Sequence, residues 1–216
     1  MLPFMVGAAK LRLSSACKIV LDGNSIFHDY YSLPTMATVL SSVEPVASSG
    51  AAVVDCSING QTWAGMMSAT DVESAFDAGK TNVLVCFEDA NQAAISTGAE
   101  IHAACAAYVA ARKAAQPTRK IVLCSGLPIH GYGTASNAAI NQSDALRAGA
   151  WRAMGADVYC DFRAPGSPFA HDGVRPEPFQ LQQDLWHETS GWVHPSEAGK
   201  AVMARMIAAA IRRLRA

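Results

Sequence analysis

Five short, almost uninterrupted apolar runs constrain this chain more than any other feature. They fall at residues 18–22 (KIVLD), 51–58 (AAVVDCSI), 82–87 (NVLVCF), 120–125 (KIVLCS) and 157–160 (DVYC). None alternates apolar with polar residues, which marks strands covered on both faces of a parallel sheet. Between and after them the apolar period changes to three and four. Ile101, Ala104, Cys105, Tyr108 and Val109 share one face of a helix expected over 100–113. Val202, Met203, Met206, Ile207, Ala210, Ile211 and Leu214 do the same over 196–214, with Arg212, Arg213 and Arg215 at the carbonyl end of the dipole. Strand–helix alternation with right-handed crossovers predicts an α/β fold. The expected form is a flavodoxin-like three-layer α/β/α sandwich around a five-stranded parallel sheet. Ligands of such sheets sit beyond the carboxyl ends of the strands, so the residues just after each run carry the functional question.

A length of 216 residues fits one domain at about 150 residues per domain. A chain of this size buries roughly 70% of its unfolded surface and needs neither disulfide nor metal to fold. Half of the residues are hydrophobic and only 16% are charged, which excludes intrinsic disorder. With 17 basic against 18 acidic side chains the net charge is −1. No basic field exists to hold a phosphate backbone, so no nucleic-acid partner is expected. No apolar run reaches the roughly 20 residues of a bilayer span, so no membrane is expected either. Residues 1–9 are apolar, but Lys10 and Arg12 follow them rather than precede them, the reverse of a signal peptide. The expectation is cytoplasmic synthesis, an N-terminal arm over 1–17 that packs on the body or on a partner, and one domain over 18–216. Through that arm the chain can form a homo-oligomer. The six cysteines lie in or beside the strand runs or, for Cys105, on the apolar side of a helix. No CxxC pair or Cys/His spacing occurs, so they read as buried free thiols from a reducing compartment.

The first run ends in Asp22-Gly23-Asn24-Ser25-Ile26, which places a serine at the top of the sheet. The second leads into Ser57-Ile58-Asn59-Gly60-Gln61-Thr62, where Gly60 lets its backbone N–H approach a ligand closely. The third leads into Phe87-Glu88-Asp89-Ala90-Asn91-Gln92, with the Asn91 amide available, and Gly191-Trp192-Val193-His194-Pro195 precedes the last helix. Singly, each has a plainer reading as a turn, a bend, an Asx-turn or a capping residue. The order Ser, Gly, Asn, His at the ligand-facing ends of successive elements is far more specific.

That set resembles the SGNH (GDSL-type) hydrolases over about residues 18–210, with Asp22-Gly23-Asn24-Ser25 as the first block. The phage and prophage branch looks most similar. Its cues are Phe87-Glu88-Asp89-Ala90-Asn91, similar to an aromatic-Glu-Gly-x-Asn pattern, and the stretch 137–156 followed by Tyr159-Cys160-Asp161. His194-Pro195-Ser196-Glu197-Ala198-Gly199 followed by Val202-Met203-Ala204 is similar to the family's last block. The resemblance implies the SGNH hydrolase fold and a serine esterase that removes a short acyl group such as acetyl, with an acyl ester or acylated glycan as substrate. It implies Ser25 as nucleophile, His194 as base, and an oxyanion hole made of the backbone N–H groups of Ser25 and Gly60 and the Asn91 side chain. It calls for no metal and no cofactor, and a phage-derived chain is expected to associate with a virion.

Two positions depart from the family pattern. Gly191 stands where an Asp three residues before the histidine usually orients the imidazole. Glu188 is the candidate replacement, or a backbone carbonyl holds the ring and the pair works as a Ser–His dyad. Asp89 stands where the third block usually has Gly. A carboxylate there opposes an oxyanion unless it points away, and its plainer reading is a solvated loop acid or helix N-cap. These departures motivate the alternative of a weakened or inactive carbohydrate-binding or virion structural module on the same fold. Trp186 and Trp192 flank the base and are candidates either to stack on a sugar or to anchor the loop. Asn137 and Asn141 are expected to cap and start a helix, and the loop 127–131 to face the site. His28, His102, His130, His171 and His187 show no metal-ligand spacing. A flavodoxin-like nucleotide binder is disfavoured, because no phosphate-cradling Gly-rich loop follows the first run.

Overall fold

The computed structural model describes residues 10–28, 32–129, 133–170, 183–187 and 193–215. Its strands are β1 (Cys17–Gly23), β2 (Ala52–Asp55), β3 (Thr81–Phe87), β4 (Lys120–Cys124) and β5 (Val158–Cys160). They form one sheet, every pairing parallel, in the order β2-β1-β3-β4-β5. β1, β3 and β4 are central and buried along nearly their whole length, which is why their sequences do not alternate. The second run is shorter than its apolar stretch suggests. The Asp55 carboxylate takes the Ser57 N–H at 2.9 Å, an Asx-turn that ends the strand.

The helices are α1 (Met36–Ser41), α2 (Val46–Ser49), α3 (Trp63–Ser68), α4 (Asp71–Ala75), α5 (Ala90–Ala93), α6 (Gly98–Ala115), α7 (Thr134–Ala150) and α8 (Glu197–Ile211). A 3₁₀ turn spans Gln183–Leu185. α1 and α8 pack together on one face of the sheet, while α3, α6 and α7 form the other layer. α6 starts at a full capping box, with Thr97 and Glu100 each satisfying the other's backbone. Ser196 caps α8. Asn137 and Asn141, expected to cap and start a helix, instead lie inside α7, whose N-cap is Gly133. Buried Asn137 takes the Ile129 N–H at 2.8 Å and donates to the Ile129 carbonyl at 2.7 Å. Its amide thus closes the loop after β4, where a backbone pair would otherwise be buried without a partner.

Residues 1–9 lie outside the described residues. Leu11 donates its N–H to the Leu214 carbonyl at 2.9 Å, and Lys10 bridges Arg215. Leu11 and Leu13 pack against the core. All six cysteines are free thiols, and all but Cys56 are buried. The order 2-1-3-4-5 puts the point where the winding reverses between β1 and β3, the place where such sheets open a crevice. Gly23 and Phe87 are in register there, so the turns that follow both strands meet.

Candidate active site

Asn24 shapes the turn after β1. Its side-chain oxygen takes the Ile26 N–H at 2.9 Å, and its carbonyl takes the N–H groups of Phe27 and His28. Ile26 and Phe27 are buried beneath the turn, so Ser25 is left at its crest. The Ser25 hydroxyl lies 2.8 Å from His194 Nε2. For Nε2 to act as acceptor, the ring proton resides on Nδ1.

His194 precedes the cap of α8. His187 donates its N–H to the His194 carbonyl, and Ser196 donates to the Leu185 carbonyl, each at 2.9 Å. A Cβ at Gly199 would lie 2.2 Å from that Leu185 carbonyl, so only glycine lets α8 start so close to the 3₁₀ turn. Lys200, buried one turn into α8, donates to the carbonyls of His28 and Pro34, each at 2.9 Å. It therefore ties α8, which starts just after His194, to the segment that follows the Ser25 turn. Burial, then the positive charge of Lys200 and the nearby His187, lower the His194 pKa to about 4. At neutral pH the ring is uncharged, the form a general base requires.

Gly60 has φ +74°, and a Cβ there would meet nothing within 4 Å. The left-handed backbone therefore selects glycine, not crowding by protein atoms. Asn91, on α5, donates its side-chain amide to the Gln61 carbonyl at 2.9 Å. That uses one of the two N–H groups of the amide. Its neighbour Gln92 takes the Trp63 N–H at 3.2 Å, so two consecutive amides lock α5 to the 60–63 loop. Ser25, Gly60, Asn91 and His194 line one cavity of about 360 Å³, with Ile26, Ala90 and Val193 supplying apolar wall. A larger groove of about 540 Å³, beside Ile95 and Gln142, has no histidine in its lining.

The structure corrects two expectations. Asp89 is not solvated but fully buried, and although it stands at the N-cap of α5, with its carbonyl taking the Ala93 N–H, its carboxylate makes no capping bond. Its carboxylate pairs with Arg147 of α7 at 2.6 Å and takes the Trp63 indole N–H at 3.0 Å. Burial pushes its pKa up and the guanidinium opposes that. The charge is thus directed at Arg147 and away from the cavity. Trp186 is only 3% exposed and packs edge-on against Phe169 at 6.0 Å. A ring so enclosed anchors the loop and has no face to offer a sugar. Glu188, Gly191 and Trp192 lie outside the described residues.

Sequence reasoning passed over Arg147, Lys200 and the role of Glu88. A signal for the first two existed. Arg147 falls on the buried face of α7 with Ile140, Ser143 and Asp144, and Lys200 on that of α8 with Met203, Ala204 and Ile207. A cation within a buried helical stripe must find carbonyls or carboxylates.

A parallel 2-1-3-4-5 sheet with helices on both faces, and Ser, Gly, Asn and His gathered beyond its strand ends, defines the class: the SGNH hydrolase fold. Solved structures agree. A member of the lipolytic protein G-D-S-L family from Veillonella parvula superposes with a TM-score of 0.65 at 17% identity, covering 92% of this chain and 100% of that one. The lipase/acylhydrolase from Enterococcus faecalis gives 0.60 at 17% identity, covering 92% and 97%. A GDSL-like lipase from Bacteroides thetaiotaomicron gives 0.57 at 18% identity, covering 93% and 91%. No protein-family model matches the sequence, and neither does any curated protein sequence. At these identities the likeness establishes the fold.

Proposed function

We propose that this chain is a serine esterase of the SGNH type that hydrolyses short acyl esters. The observation that carries the reading is the 2.8 Å contact between Ser25 Oγ and His194 Nε2, in a cavity shared with Gly60 and Asn91. Ser25 Oγ attacks the acyl carbonyl carbon while His194 Nε2 takes its proton. The carbonyl oxygen becomes an oxyanion that accepts from the N–H groups of Ser25 and Gly60 and from the Asn91 amide. The C–O bond to the alcohol then breaks, and His194 returns the proton to the departing oxygen. Water, deprotonated by the same ring, cleaves the acyl-enzyme and restores Ser25.

The cavity, about 360 Å³, sits at the small end of the roughly 300–1,000 Å³ of ligand pockets. That size supports an acetyl-sized or slightly longer acyl group. A glycan as the alcohol part rests on the resemblance alone, since buried Trp186 contributes no stacking face. Asp89, one of the two departures that favoured a non-catalytic module, does not favour it once its charge is directed at Arg147.

Hydrolysis of p-nitrophenyl esters of increasing acyl length tests the reading. Turnover is expected to peak at the shortest chains and to vanish in Ser25→Ala. An S25A variant that hydrolyses acetate at the parental rate would remove Ser25 from the mechanism.

A further inference from the structure

One buried ionisable group at the site has no part in that mechanism. Glu88 follows β3 directly and is fully buried. Its Oε1 takes the Asn91 N–H at 2.7 Å, the Asn24 side-chain amide at 3.3 Å and the Gln92 N–H at 3.4 Å. Its Oε2 has no hydrogen-bond partner, and no ion pair among the described residues includes Glu88. Its chain neighbour Asp89 has the opposite provision, with Arg147 brought against it from α7. Asn24 immediately precedes Ser25, and Asn91 carries the side-chain oxyanion donor. A single carboxyl oxygen thus joins the turn after β1 to the start of α5.

We propose that Glu88 is a positioning residue: an uncharged carboxylic acid that holds the nucleophile turn and the oxyanion donor at a fixed spacing. The inference rests on the esterase reading above. A buried carboxylate without a cation is strongly disfavoured, so the site keeps the proton. Burial and the adjacent Asp89 push the Glu88 pKa up to about 8, against the lowering effect of its bonds from Asn91, Asn24 and Gln92. Of the titratable or charged groups on neighbouring elements, Arg147 from α7 is already paired with Asp89, the Cys105 thiol from α6, which feels Glu88, is pushed up to about 12, and Asp22 on β1 is pushed up to about 7. None of these supplies Glu88 with a cation of its own. Loss of its proton therefore places an unmatched negative charge behind the amide that must stabilise an oxyanion.

The test is the pH dependence of kcat for p-nitrophenyl acetate from pH 6 to 10, with labelling of Ser25 by a fluorophosphonate as a second readout. The wild-type kcat is expected to fall above pH 8, approaching about tenfold per pH unit for a single ionisation. Glu88→Gln keeps the acceptor and cannot ionise, so its profile stays flat to pH 10. Glu88→Ala loses about tenfold or more in kcat at pH 7, with KM within about twofold, as expected for a misplaced oxyanion donor. Asp22→Asn serves as the control and retains the alkaline fall. A Glu88→Gln profile that still falls above pH 8, or a Glu88→Ala variant with parental kcat, overturns the proposal. If Glu88→Ala shows no cooperative thermal transition, the Glu88→Gln profile decides alone. A wild type that neither hydrolyses nor labels sinks the esterase reading, and this inference with it.

Discussion

The side of the site that carries Ser25, Gly60 and Asn91 and the side that carries His194 are held by different means. Ser25, Gly60 and Asn91 follow strands β1, β2 and β3, and buried polar groups cross-link their turns: Glu88 to Asn24 and Asn91, Asn91 to Gln61, Gln92 to Trp63, and Asp89 to Trp63 and Arg147. Among the described residues, His194 follows no strand directly. It rests on two backbone bonds to the 3₁₀ turn region, the Trp186–Pro195 bridge, and the Lys200 clamp across to His28 and Pro34. The first side takes its precision from the sheet and from polar groups too deeply buried to break their bonds without cost. The second draws on a long-range cation, Lys200, whose charge adds to burial in lowering the proton affinity of the ring.

This contrast predicts a graded set of losses. Ser25→Ala removes the proposed nucleophile, and kcat is expected to fall on the order of 10⁶-fold, as in serine hydrolases stripped of theirs; steady-state hydrolysis measures it. Arg147→Met leaves Asp89 buried and unmatched, at a cost of about 3–5 kcal/mol in unfolding free energy. Urea denaturation reads that loss, and an unchanged midpoint would show that the Asp89 pair does not brace the oxyanion side. Asn91→Ala is expected to lower kcat by about 10²–10³, or 2.7–4 kcal/mol, with KM nearly constant. A variant that raised KM instead would place Asn91 in ground-state binding.

Lys200→Met tests the base side and is the subtlest change in the series. With the lysine charge gone, the pH below which His194 protonates is expected to rise from about 4 toward its ordinary 6.5. The acid limb of fluorophosphonate labelling should move up with it, while labelling at pH 8 stays closer to parental. A limb that stays in place would assign the depression to burial and His187, without Lys200.

Stability should also depend on pH in opposite senses for the two sides. Glu88 and Asp22 have folded values raised to about 8 and about 7, from 4.5 and 3.8. Their contributions are complete below the lower values and disappear as pH rises through the raised ones. His194, depressed from 6.5 to about 4, contributes above 6.5 and loses that contribution as pH falls toward 4. Urea midpoints at pH 5, 7 and 9 should decline on the alkaline side in the wild type, and less so in Glu88→Gln.

The sheet was legible because strands buried on both faces must be apolar throughout, and no other element of four to eight residues needs that pattern. The positions of Ser25, Gly60 and Asn91 followed from it, since each comes just after such a run. His194 was legible only through the residues around it, as no apolar strand-like run precedes it in the sequence. Asp89 shows why the rest was not. In the sequence it is a carboxylate where a small residue was expected, and its meaning depends on Arg147, 58 residues further along. Trp186 was open between binding and burial until Phe169 closed over it, because a large ring serves either purpose and only its neighbours choose.

The chain alone therefore determined the layered α/β architecture and the level at which a serine, a glycine and an amide emerge, because burial periodicity is local and is written in consecutive residues. Tertiary structure alone decided the strand order, the 2.8 Å meeting of Ser25 with His194 across 169 residues, and the partner of each buried charge. Those are matters of pairing between distant segments. A hydrogen bond or an ion pair leaves no trace in the spacing of residues that only the folded chain brings together.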